Sequence, residues 1–220
     1  MKRIAIVTLL ILLLPSVMLA EELSPPKLHI GVVSGIGGSY IGSLGDNPFW
    51  EPRGSSYVAP ALTYYAPSGL ALRGEFCQLK RTSEYSEYDD DNIFYREARI
   101  DSKAMHTSVT VLYSFPMGNN PNKYYIGAGL YLDTILRADL YAEHSSSVVL
   151  RQSILDEYGP VSYGASLLLG MGMSKTFYAE LVFLTDISSF DASALRMYGL
   201  QTQSLFIRLG MDLVKINLSD

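Results

Sequence analysis

Arg73 and Glu75 lie two positions apart, Asp133 and Arg137 four, and Arg208 and Asp212 four, while Glu180 stands alone among small and apolar neighbours. Even spacing puts each pair on one face of an extended strand. Charges of both signs confined to one face can do either of two jobs. They can neutralise one another inside a protein, where a charge without a partner is far costlier than a paired one, or they can pass protons along a narrow channel. The expectation is an interior ion-pair network in which Arg73 and Arg208 share Glu75 and Glu180, with Asp133, Arg137 and Asp212 as further members.

Other reactive side chains are scattered. His29, His106 and His144 are far apart and have no cysteine partner, whereas metal sites want clustered ligands. His29 and His106 alternate to the same side as the charges and read as hydrogen-bonded wall residues. Asp89, Asp90 and Asp91 offer the hard oxygen that divalent cations prefer, without the spaced ligands and glycine of a calcium loop. Their stretch, Ser83 to Arg99, reads as a solvated hairpin. Neither a metal nor a cofactor is implied. Cys77 is the single cysteine and has no internal disulfide partner, so it is expected as a small wall residue. Phe49, Trp50, Phe94 and Tyr95 fall at loop tips and are the candidates for contact with a ligand or partner.

The elements that must position the charges are strands. Ser162 to Leu184 carries only Lys175 and Glu180 as charges. Val161, Tyr163, Leu167, Leu169 and Met171 alternate there with Ser162, Gly164, Ser166, Gly170 and Gly172, a period of two. One helix would suffer from its glycines at about 1 kcal/mol each. The same alternation places strands near 27–42, 55–66, 69–82, 103–116, 122–139, 158–174, 175–187 and 201–216. Connections alternate as well: 66–69, 117–121 and 174–175 are short, while 43–54, 83–102, 140–157 and 188–200 are long. That asymmetry belongs to an outer-membrane barrel with short periplasmic turns and longer external loops.

The fold expected is therefore all-β, an eight-stranded antiparallel up-and-down transmembrane barrel with both termini periplasmic. Eight strands leave an interior just wide enough for side chains to fill, which favours the ion-pair network over a channel. A soluble carrier barrel of the lipocalin kind would show a polar outer face. Here the less apolar face carries Gly31, Gly35, Ala59, Ala61, Gly127, Gly129 and Gly164, small residues suited to a crowded inside. Tyr40, Tyr64, Tyr113, Tyr124, Tyr141 and Tyr163 lie near strand ends, as an aromatic girdle requires.

Lys2 and Arg3 precede an apolar run from Ile4 to Leu14, followed by Pro15 and Ala20, the pattern of a secretory signal peptide. Residues 1–20 are expected to be removed, leaving 21–220 as the barrel domain. Of 17 basic residues the leader takes Lys2 and Arg3, while all 22 acidic ones remain. That acidic balance argues against a nucleic-acid partner.

Tyr57 to Arg81, YVAPALTYYAPSGLALRGEFCQLKR, resembles the strand, short turn and strand of the small PorT-like, porin-family outer-membrane barrels, with Leu72, Arg73, Glu75 and Phe76 in the matching places. Tyr124 to Asp133 is similar to a later segment of that family. The resemblance implies a Gram-negative-type envelope, with outer-membrane lipid and the barrel-assembly machinery as partners. It departs at the end of the chain, where the last aromatic is Phe206. A structural, adhesive or docking role through the long loops is expected, without catalysis. The alternatives are a periplasmic carrier and a lipid-modifying envelope enzyme. His144 and Ser146 share the His-x-Ser spacing of outer-membrane lipid A deacylases, whose serine is activated by a histidine.

Overall fold

The turn Ala66–Gly69 shows how the chain reverses. Gly69 adopts φ 79°, a left-handed conformation in which a side chain would be strained, and the Ala66 amide donates to the Leu70 carbonyl at 2.8 Å. At 173–176 a serine closes the reversal instead. Ser174 Oγ accepts from the amides of Thr176 at 3.2 Å and Phe177 at 3.0 Å. The computed structural model describes residues 26–43, 51–86, 97–116, 123–143, 149–193 and 197–218. Residues 1–20, expected as a signal peptide, lie outside the described residues.

Among the described residues ten strands and one short helix follow in order: β1 Lys27–Ser43, β2 Glu51–Tyr65, β3 Leu70–Ser86, β4 Glu97–Pro116, β5 Lys123–Glu143, β6 Val149–Ser153, α1 Leu155–Tyr158, β7 Val161–Gly172, β8 Phe177–Asp186, β9 Phe190–Ala192 and β10 Met197–Asn217. Eight of the strands form the wall. Each pairs antiparallel with its neighbour in the order β1-β2-β3-β4-β5-β7-β8-β10, and β10 returns to β1 from Lys27↔Asn217 to Ser43↔Leu200. The ring is closed. A closed barrel has no free edge strands to pair with another chain.

Alternation decides which face is which. Along β2, Ser55, Tyr57, Ala59, Ala61 and Thr63 are buried, while Ser56, Val58, Pro60, Leu62 and Tyr64 are exposed. Around the ring Ile36 is 70% exposed and Leu130 67%, whereas Phe206 and Asp133 are fully buried. Across the belt the outer face is thus aliphatic, while Arg73, Glu75, Asp133, Glu180 and Arg208 are buried inside, the polarity of a barrel immersed in lipid. Among the described residues no helix is long and apolar enough to cross a membrane.

The long connections differ from expectation. Much of 43–54, 83–102 and 140–157 is strand, because β2, β3, β4 and β5 run on beyond the apolar belt and β6 pairs with the top of β5 from Asp139↔Ser153 to Glu143↔Val149. Strand β7 begins at Val161 and not near 158, since Leu155–Tyr158 form α1 and Gly159 leaves it at φ 80°. In this extension the wall no longer runs unbroken among the described residues: there β6 pairs only with β5, β9 only with β10, and α1 packs between β5 and β9. Tyr158 stacks on Phe190 at 4.1 Å. With Ile41, Ile100, Leu140, Ile154 and Leu200 they make a buried apolar layer at the long-hairpin end.

Candidate functional site

Four inward tyrosines have glycine as their partner on the next strand: Tyr57↔Gly35, Tyr125↔Gly170, Tyr131↔Gly164 and Tyr178↔Gly210. A glycine lets the ring lie flat across the neighbouring backbone, a pairing that also pins register. There is no room for more. A Cβ on Gly170 would come within 2.2 Å of the Tyr125 ring, and one on Gly210 within 2.1 Å of Tyr178. The rings lie across the wall and carry their hydroxyls to the interior charges.

At mid-height these charges form a closed quartet. Arg73 Nη1 donates to Glu180 Oε1 at 2.5 Å, and the Arg208 guanidinium grips Glu180 Oε2 through both Nε, at 2.9 Å, and Nη2. Arg208 Nη1 also donates to Glu75 Oε2 at 2.8 Å, and Arg73 Nη1 stands 3.9 Å from Glu75 Oε1. Two guanidiniums therefore face two carboxylates, with the Glu180 side chain wholly out of solvent. The tyrosines complete the set. Tyr125 donates to Glu180 Oε1 at 2.7 Å, Tyr57 Oη accepts from Arg208 Nη1 at 2.7 Å, and the Arg73 guanidinium lies 4.8 Å from the centre of the Tyr178 ring. Charge-assisted bonds of this kind are about twice as strong as neutral ones, and cation–π contact adds to them.

Nearer the long-hairpin end is a second cluster, one that the sequence reading does not assemble. Arg81 Nη1 lies 2.9 Å from Asp133 Oδ2 and 3.7 Å from Asp186 Oδ1. His106 Nδ1 donates to Asp133 Oδ1 at 2.6 Å, and Tyr131 donates to Asp186 at 2.5 Å. Arg81 Nε and Nη2 have no partner among the described residues. Above it the Tyr158 hydroxyl meets Thr202 Oγ1 at 3.0 Å, and burial raises the phenol above its ordinary range. At the short-turn end His29 Nδ1 donates to Asp212 Oδ2 at 2.8 Å.

Of the seven charges expected to form one network, the structure brings together Arg73, Glu75, Glu180 and Arg208. Asp133 belongs to the Arg81 cluster and Asp212 to His29. Arg137 is a correction: its side chain is 58% exposed and pairs with Asp139 on the outer face. The reason is a bulge. Between Lys103↔Arg137 and Ala104↔Ile135 the chain of β5 carries one extra residue, so Leu136 and Arg137 both face outward and strict alternation fails. Arg81 and Asp186 escape the sequence reading because they sit at or near the strand ends assigned at 82 and 187. Their signal is present all the same, since Arg81 continues the inward series Arg73, Glu75, Cys77, Leu79, and Asp186 continues Glu180, Val182, Leu184.

Phe49, Trp50, Phe94 and Tyr95 lie outside the described residues, as do Asp89, Asp90, Asp91, His144 and Ser146. Among the described residues no group of three His, Cys, Asp or Glu side chains is placed to hold a metal ion. Tyr64 and Tyr163 are 40% and 52% exposed on the outer face, and Tyr113, Phe115 and Tyr124 stack at 6.5 Å spacing near the short turns.

No family model and no curated protein matches the chain. Among solved structures, Neisserial surface protein A shares 14% identity over 84% of this chain and 97% of its own, with a TM-score of 0.45. Ail, the attachment invasion locus protein of Yersinia pestis, solved with the heparin analogue sucrose octasulfate, shares 12% over 88% and 100%, with a TM-score of 0.46. The N-terminal β-barrel domain of Pseudomonas aeruginosa OprF shares 12% over 86% and 99%, with a TM-score of 0.37. Each is alike in general shape alone, and the eight-stranded ring rests on the chain's own strand pairing.

Proposed function

We propose that the chain is a non-catalytic outer-membrane barrel of the PorT-like kind, with a structural, adhesive or docking role through its long hairpins and a lumen that passes no large solute. One observation carries this reading. An exposed aliphatic belt surrounds an interior filled by ion pairs and tyrosines and topped by an apolar layer. The outward face suits hydrocarbon, and the inward one is too crowded among the described residues for a porin's work. A carrier barrel would need the reverse arrangement, polar outside and hollow within.

In this proposal residues 1–20 direct export and are removed, the barrel-assembly machinery inserts the remainder, and both termini with the short turns face the periplasm. The long hairpins then stand outside the cell, where Phe49, Trp50, Phe94 and Tyr95 are the contact candidates for an external protein or ligand. Planar-bilayer recording on the refolded chain tests the filled lumen, with heat-modifiable gel mobility as the check on folding. Folded protein without steady open conductance is the expected result. Stable conductance steps of a water-filled pore would overturn it.

A further inference from the structure

We infer that the outer face of β3, β4 and β5, at the upper edge of the apolar belt, is a binding site for the phosphates of a membrane lipid headgroup. Lys80, Lys103 and Arg137 are direct cross-strand partners, Lys80↔Lys103 and Lys103↔Arg137, so three cations stand side by side on one row. Like charges placed directly opposite one another destabilise a sheet. Nothing in the fold offsets this for the lysines, since neither Lys80 nor Lys103 joins a salt bridge among the described residues.

The position of the row selects its occupant. Directly below on the outer face is the mixed row Gln78–Met105–Thr134, the next is Phe76–Thr107–Leu132, and the bulge sets exposed Leu136 beside Arg137. The cations thus border the belt, where long basic side chains lay their stems on apolar surface and lift their charge to the headgroups. The acids stand further out. Asp101 and Asp139 occupy the next row, where Asp101 accepts from Thr82 at 2.9 Å and pairs with Arg99 at 3.2 Å, while Asp139 pairs with Arg137. Glu84 is held by Arg53 at 2.5 Å. The surface is also one-sided: among the described residues every outward cation of the long-hairpin end lies on β2 to β6, and none on β1, β7, β8 or β10. A diffuse attraction would not need alignment. A phosphate lodged between adjacent strands would.

The inference rests on the membrane reading and adds a ligand to it. The test is native mass spectrometry of the full refolded chain incubated with bisphosphorylated lipid A, against the same lipid stripped of phosphate. Preferential retention of the phosphorylated lipid is expected. Lys80→Gln with Lys103→Gln should weaken it roughly five-fold for each cation removed, while Lys175→Gln at the short-turn end leaves it unchanged. Removing two repelling charges from the surface does not endanger folding, and gel mobility checks that each variant is folded. Equal retention of both lipids, or an unchanged double variant, overturns the site. So does a result in which soluble heparin loses its binding in the double variant while lipid retention stays the same, since the row would then serve a soluble polyanion. Insertion is read separately by partition of the chain into vesicles. A chain that inserts but shows no preference loses only this inference, and one that fails to insert loses both readings.

Discussion

The two interior clusters are built from the same residue types yet differ in how completely they are matched. In the mid-height quartet two guanidiniums meet two carboxylates, Arg208 binds Glu180 through two nitrogens, and Glu75 Oε1 is the one carboxylate oxygen without a hydrogen-bond partner among the described residues. In the upper cluster one guanidinium, Arg81, faces Asp133 and Asp186, with Nε and Nη2 unpartnered among the described residues and with His106 and Tyr131 supplying the remaining donors. The quartet is a lock in which each charge depends on the others. The upper cluster has a carboxylate to spare. Similar burial therefore does not mean similar energetic weight, because removing one member matters only as far as it strands another.

The largest effect should come from Glu180→Ala. It leaves Arg73 with Thr63 Oγ1 at 3.2 Å and, as its one remaining carboxylate among the described residues, the distant Glu75, and takes from Arg208 its two-nitrogen partner; breaking a buried pair costs about 3–5 kcal/mol. Urea unfolding of the chain in lipid vesicles should show that loss, with a matching fall in the temperature at which the folded band disappears on a gel. An unchanged midpoint would mean the quartet contributes nothing to the fold.

Next is Gly170→Ala, which asks whether the tyrosines are fixed in place. The new methyl would fall within 2.2 Å of the Tyr125 ring, and overpacking of this kind costs about 1–3 kcal/mol. The expected sign of coupling is also fixed. Tyr125→Leu combined with Gly170→Ala should cost less than the two changes summed, because the smaller side chain makes room for the methyl. Strict additivity would show that ring and glycine are not in contact. Tyr125→Phe alone is milder, removing one hydroxyl from Glu180 for about 1 kcal/mol.

Much of this architecture is legible in the sequence because lipid imposes alternation. Wherever a strand crosses the belt, greasy and small residues change places every second position, and that signal locates all eight wall strands. Beyond the belt the signal fades. Lys80, Thr82 and Glu84 point outward on β3 while Arg81 and Ser83 face in, so both sides are polar and period two leaves no hydrophobic trace. That is why the strand extensions, the Arg81 cluster and the apolar layer around Ile154 and Tyr158 read as loop from residue types alone. The bulge at Leu136–Arg137 is hidden for a different reason. One extra residue flips everything after it, and nothing in the local residue types marks where it falls. The quartet is foreseeable because its four members sit deep within strands where alternation is strict.

The smallest expected effect is the most informative about the contrast between clusters. Asp186→Asn removes one negative charge from the upper cluster while keeping an oxygen to accept the Tyr131 hydroxyl, which lies 2.5 Å from Asp186 Oδ1. Arg81 retains Asp133 at 2.9 Å and loses only a partner at 3.7 Å. The change should therefore shift stability by no more than about 0.5–1 kcal/mol, against several for the equivalent Glu180→Gln. Both amides are isosteric with the acids they replace, so shape cannot explain a difference. Unfolding midpoints for the two variants, measured in the same vesicles, give the ratio directly. Equal losses would mean that Arg81 depends on Asp186 no less than Arg73 and Arg208 depend on Glu180, and that the upper cluster has no carboxylate to spare.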